Sequence, residues 1–193
     1  MNRCTMDKEP AEDIAATLRA ASEGDERAWR SIIDGYGPRV FGLLRARCGD
    51  PELAEELTQS TFCSVASKIG TAYEEHGRFE SWLFRIAMNR LRDEMRRRKR
   101  HAKPTSSESM AAFVREQEAE EPRFDGEDLN ALRHALSRLA PNEREIIDLR
   151  HVGGLSFRQL ESLLEEPMGT LLARHHRALK KLKDLIKSEK KAL

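Results

Sequence analysis

The stretch from Phe79 to Arg100 constrains the fold most. Phe79, Trp82, Leu83, Ile86, Ala87, Leu91 and Met95 recur at three- and four-residue spacing. That spacing lines one buried face of an α-helix. The opposite face, stepped the same way, reads Arg85, Asn89, Arg92, Arg96 and Lys99. From Arg78 to Lys103 ten Lys/Arg stand against only Glu80, Asp93 and Glu94. One side of this helix is built to sit on a core, and the other to meet something negative. A phosphate backbone is the commonest partner for such a stripe. A merely solvated face is the alternative, but it usually mixes signs at i,i+4 spacing.

The rest of the chain follows the same period. With 193 residues it holds one large domain or two small ones. Gly and Pro are sparse and no alternating apolar pattern occurs, so the expected fold class is all-α. No apolar run approaches the ~20 residues of a membrane span. Glu9, Glu12 and Asp13 near the start argue against a secretory signal. Cys4, Cys48 and Cys63 are odd in number and lack CxxC spacing. They read as free thiols of a reducing cytoplasm, neither disulfide staples nor zinc ligands.

Taken in order, a first helix is expected from about Pro10 to Ser22, with Gly24 as its stop and Asp25 capping the next. The second helix carries Trp29, Ile32, Ile33, Tyr36, Val40, Phe41 and Leu44 as its core set, with a bend near Gly35–Pro38. Cys48-Gly49-Asp50-Pro51 ends it and starts a third: Gly stops, Asp50 caps, Pro51 takes the first helical position. In that third helix Leu53, Leu57, Phe62, Val65 and Ile69 face inward, while Glu52, Glu55, Glu56 and Gln59 form an acidic outer face. Acids in a first turn simply suit the helix dipole, or they dock a basic partner. Gly70–Gly77 is a loop leading into the basic helix.

After Arg100 the character changes. Residues 104–128 hold eight acids and only Arg115 and Arg123 as bases, a Ser/Pro/Glu-rich composition that marks a linker. A short helix around Met110–Glu120 fits within it, and its acids are suited to fold back on the basic helix. A second compact unit begins near Leu129. Leu132, Leu136 and Leu139 form one helix, and Pro141 opens another with Ile146, Ile147 and Leu149 inside and Gly153-Gly154 at its end. Ser156 and Gln159 make a capping box at the start of a short helix. Pro167 then starts a long one carrying Leu171, Leu172, Leu179, Leu182 and Ile186. Short helix, tight turn and basic longer helix is the helix-turn-helix pattern. Thr170, Ala173, Arg174, Arg177 and Lys181 share the outward face of the last helix. His175 and His176, being adjacent, point ~100° apart and are poorly placed to chelate one ion. His175 is assigned to the core side, and His176 to the groove-facing side, against DNA or solvent.

These pieces resemble the extracytoplasmic-function sigma factors of the sigma-70 family over about residues 10–187. AEELTQSTF (Ala54–Phe62) is close to the family's A-E-D-L-T-Q-x-x-F. Phe79–Arg100 follows F-x-x-W-L-x-x-I-A-x-N-x-x-x-D-x-x-R at Phe79, Trp82, Leu83, Ile86, Ala87, Asn89, Asp93 and Arg96. Leu139–Leu179 carries E-R-E, L-R, G-L-S-F, P-x-G-T and H-R-A-L pieces. The resemblance implies two small helical domains: sigma region 2 over 10–103 and a region 4 helix-turn-helix over 129–187, joined by the 104–128 acidic linker. It implies a protein that binds core RNA polymerase and directs promoter-specific initiation without being an enzyme. Glu52, Glu55, Glu56 and Gln59 would dock the β′ clamp helices, and Leu139–Leu149 would lie near the β flap. Arg85, Asn89, Arg92, Arg96 and Arg97, with Lys99 and Arg100 continuing the run, would contact the −10 strand. The Gly70–Gly77 loop would hold a flipped base, while Thr170, Arg174, Arg177 and Lys181 would face the −35 groove. An anti-sigma protein is a further partner the resemblance admits; no cofactor, metal or membrane enters it.

The chain departs from the family pattern mainly in the second unit. Glu161 replaces a small residue, Glu165 stands at a turn where Gly is usual, Leu172-Ala173 replaces Lys-Ser, and His175 takes an apolar position. Ala66 takes an aromatic position in the first unit. A non-Gly residue at a positive-φ turn costs of order 1 kcal/mol, and a lost Lys removes a phosphate contact. Two rival readings remain at this level: a helix-turn-helix regulator acting independently of polymerase, and a polymerase-binding protein whose −35 reader has degraded.

Overall fold

A computed structural model describes residues 11–71, 73, 78–101 and 126–190. The regular elements among the described residues are all helices, with no strand among them. The 104–128 linker up to residue 125, its expected short helix and its fold-back onto the basic helix lie outside the described residues, as do Cys4 and most of the Gly70–Gly77 loop.

In order, α1 is Ala11–Ser22, α2 Glu26–Cys48, α3 Pro51–Lys68, α4 Phe79–His101, α5 Gly126–Ser137, α6 Pro141–Ile147, α7 Phe157–Leu164 and α8 Met168–Lys190. A π-helical turn, Asp148–Val152, continues α6. The caps obey the local sequence. Asp25 accepts from the Ala28 amide at 2.8 Å and Asp50 from that of Leu53 at 3.1 Å. Gly49 takes φ +72° after α2, a region that costs glycine nothing. Pro38 lies inside α2, which runs unbroken from Glu26 to Cys48.

The first four helices close on Leu18, Ile32, Val40, Leu43, Leu53, Val65, Leu83 and Leu91, all buried. The second set does not close on itself alone. Ile146, Leu149, Leu155, Leu160, Leu163 and Leu171 join the same apolar cluster, and only Leu139, Ile147 and Ala178 form a separate small one. Phe84 and Met88 are buried although the periodic face of α4 omitted them, because α4 packs on α7 as well as on α3.

Several core expectations need correction. Ile33, Leu172 and Leu179 are exposed, while Ile32, Leu171 and Ala178 beside them are buried. Adjacent helical positions point about 100° apart, so only one of each pair reaches a core. Met95 is exposed too. The next turn of α4 already reaches Asp50, the cap at which α3 begins, through Arg98 at 3.4 Å, so α4 runs past the end of its partner there.

Candidate nucleic-acid interface

α3 and α4 pack against each other and present opposite charges outward. On α3, Glu52, Glu55, Glu56 and Gln59 are all exposed, since Leu53, Ala54 and Leu57 at the intervening positions are buried. On α4, Asn89, Arg92, Arg96, Arg97, Lys99 and Arg100 are exposed and Arg85 is half-buried. The basic face is partly braced from within. Arg97 and Arg98 both donate to Glu94, at 2.7 and 3.0 Å. The Arg97 bond foremost holds the Glu94 carboxyl below the ordinary range. Arg96 lies 3.8 Å from Asp93, a loose exposed pair.

The acidic cover on this face comes from the helix-turn-helix half. Arg92 donates to Glu145 at 2.9 Å. Arg85 donates to Glu165 at 3.0 Å and also to the Ser162 carbonyl. Beside them Arg39 bridges Glu80, at 2.9 Å, and the Gly153 carbonyl, at 2.8 Å. Glu80 accepts from Gln159 as well, and the Ser81 hydroxyl donates to the Gln159 carbonyl at 3.0 Å.

The helix-turn-helix itself is α7, a three-residue turn and α8. Ser156 and Gln159 form the expected capping box: the Gln159 amide donates to Ser156 Oγ at 3.3 Å and Ser156 N–H to Gln159 Oε1 at 2.7 Å. Glu165 holds the turn at φ +56°, ψ +35°, in the left-handed region. Glu161 accepts from the Met168 amide at 3.0 Å and so caps α8 across the turn, satisfying an otherwise orphan donor. Thr170, Arg177 and Lys181 are exposed on α8. Lys181 donates to Glu143 at 2.9 Å, which draws that carboxyl down. Arg174 is only 15% exposed and grips Glu166 with both Nη atoms, one at 2.9 Å; the pair lowers Glu166. His175 is half-buried, its Nε2 3.0 Å from Nε2 of His151 on the π-turn, with Phe157 edge-on at 5.3 Å between centroids. Burial foremost pushes both imidazoles below their usual pKa. Among the described residues no group of three or more His, Cys, Asp or Glu is placed to hold a metal ion.

The Sigma-70 region 2 model matches residues 32–101, and the Sigma-70 region 4 model matches 129–182. The RNA polymerase sigma factor CarQ of Myxococcus xanthus is 34% identical, over 85% of this chain and 92% of its own. The chain belongs to the sigma-70 family, among its ECF sigma factors. CnrH, solved in complex with the cytosolic domain of CnrY, shares the fold at TM-score 0.65 and 21% identity, covering 93% of this chain and 99% of its own. RpoE of Bartonella quintana, solved with the anti-sigma factor NepR, does so at 0.59 and 23%, covering 91% and 95%.

Sequence reasoning missed the residues that join region 2 to region 4. Arg39 reaches Gly153 across 114 positions of chain. Arg144 donates to the Ala46 carbonyl at 3.2 Å and binds buried Asp148 at 2.8 Å, with Arg47 at 3.6 Å. No periodicity or motif announces such pairs. The one legible signal was Glu165, an acid in a turn where its conformation is unfavourable.

Proposed function

We propose that this sigma factor docks core RNA polymerase through Glu52, Glu55, Glu56 and Gln59 and brings it to promoters. Region 2 spans 10–103, region 4 spans 129–187, and 104–128 links them. Arg85, Asn89, Arg92, Arg96, Arg97, Lys99 and Arg100 take the −10 strand, with the Gly70–Gly77 loop receiving an unstacked base. Thr170, Arg174, Arg177 and Lys181 take the −35 groove. The work is recruitment and strand opening in the cytoplasm, with no cofactor and no catalytic step. Among the described residues no helix is long and apolar enough to cross a membrane.

The observation that carries this reading is the charge division between two packed helices: an exposed acidic face on α3 beside an exposed basic face on α4. One protein surface thus offers carboxylates to a basic partner and guanidinium groups to phosphates. Docking at the β flap by Leu139–Leu149, and capture by an inhibitory protein of the kind seen with the Bartonella RpoE, complete the proposed partners.

Run-off transcription from a genomic fragment pool with purified core polymerase tests it. Discrete start sites sharing −10 and −35 elements are expected only when the chain is added. Glu55→Lys/Glu56→Lys should abolish core binding while leaving duplex binding intact. Tight duplex binding with no core binding would instead support an independent regulator.

A further inference from the structure

We infer that Leu172 and Ala173 set base specificity on α8 by reading the 5-methyl groups of thymines in the −35 groove. The inference rests on the assignment of α8 to that groove and names what the helix recognises there. Three observations carry it.

The first is which side chains α8 presents. Leu171 and Ala178 are fully buried, so the line farthest from the core runs through Gly169, Ala173 and His176, at i, i+4 and i+7. Leu172 flanks that line and is 44% exposed, and Met168 one turn earlier is 39% exposed. Arg174, the arginine expected there, is only 15% exposed and held by Glu166. The first two turns of α8 thus offer methyl and methylene groups where a polar reader was expected. Those turns are the part of a recognition helix that meets base edges.

The second is the charge around this apolar strip. From Gly169 to Lys183 the chain carries Arg174, Arg177, Lys180, Lys181 and Lys183 and no acid. Arg177, Lys180 and Lys183 are exposed. A cationic rim suits the phosphates on either side of a groove, and it repels a basic protein surface. The occupant that fits is duplex DNA.

The third is room. A Cβ added at Gly169 would meet no atom within 4 Å, and Ala173 adds only a methyl. The helix backbone can therefore sit deep in a major groove about 12 Å wide. Leu172 and Ala173 bring neither donor nor acceptor to the bases. Thymine is the one base whose major-groove edge carries an apolar group. A guanine, adenine or cytosine edge in the same place would lose water from its polar atoms and gain no partner.

The test uses core polymerase loaded with the full chain, and promoters found by run-off transcription. Each is rebuilt with deoxyuridine for thymidine within the −35 element alone, which removes the methyls and keeps every hydrogen-bonding group. Competition binding should show a loss of about fourfold per contacted thymine, the size of one buried methyl group. Leu172→Ala, at an exposed helical site, should keep the fold. It should bind the thymidine promoter more weakly and narrow the difference between the two promoters. Leu172→Lys/Ala173→Ser should erase that difference and steepen the salt dependence by about one unit of slope. Arg177→Ala should weaken both promoters equally. Equal binding of the two promoters by the unsubstituted chain would overturn the inference, as would a methyl effect that persists in the double variant. Loss of core binding in Leu172→Ala would make the strip a protein contact and overturn it as well. A chain that binds core but yields no −35 element refutes the −35 assignment itself, whereas an element without a methyl effect refutes the inference alone.

Discussion

Arg85 and Glu165, eighty positions apart in the chain, meet at 3.0 Å across the seam between region 2 and region 4. One belongs to the helix proposed to read DNA. The other holds a turn at φ +56°. The pair thus sets a backbone that disfavours glutamate against a contact that favours it.

That conflict yields the first prediction. A left-handed non-Gly residue costs about 1–2 kcal/mol, while an exposed ion pair is worth about 0–1 kcal/mol. Glu165→Gly should therefore leave stability unchanged or raise it by up to ~2 kcal/mol in urea unfolding. Glu165→Val, β-branched in the same turn, should lower it.

Phe84 is fully buried, and its neighbours come from both halves of the chain. Phe84→Ala should cost about 3–5 kcal/mol. Because the seam is part of what it fills, small-angle scattering should also show a larger radius of gyration. Ile33→Ser, at an exposed apolar site, should stay within about 0.5 kcal/mol.

The grip of Glu166 on Arg174 holds a proposed groove-reading side chain against its own domain. Glu166→Gln should tighten binding of duplex carrying the −35 element found by run-off transcription. Arg174→Ala should weaken it by about 1–3 kcal/mol. Fluorescence anisotropy at fixed salt reads both, and a gain on losing Arg174 would remove it from the interface.

His151 and His175 set a pH dependence. Both are depressed by burial first, with Arg150 close to each and His176 adding to the repulsion at His175. The unfolded chain therefore binds protons more readily than the folded one. Their contribution to stability is present above the unfolded pKa of about 6.5 and is lost as pH falls through the folded values. The melting temperature should decline from pH 7 to 5, and His175→Leu should flatten that slope. The lowered carboxyls of Glu94, Glu143 and Glu166 act in a separate window, below about pH 4.3.

Much was legible because it is local. The break at Gly49-Asp50-Pro51, the Ser156–Gln159 box, the left-handed turn at Glu165 and the exposed acids of α3 each depend on residues within a few positions. Near neighbours in sequence are near neighbours in space whatever the rest of the chain does. Periodicity also placed Phe79, Leu83, Ala87 and Leu91 inside.

The sequence alone determined an all-helical chain with one acidic and one basic face and a helix-turn-helix behind them. Tertiary structure decided the fate of those faces. It buried Phe84 and Met88, turned Arg174 onto Glu166, set His175 against His151 and covered Arg85 and Arg92 with region 4 acids. The physical reason is that a helical repeat states which side of a helix is apolar or charged, but not which distant helix will meet it. That choice is made by shape and charge complementarity between surfaces formed eighty or more residues apart, as at Arg85–Glu165 and Arg39–Gly153.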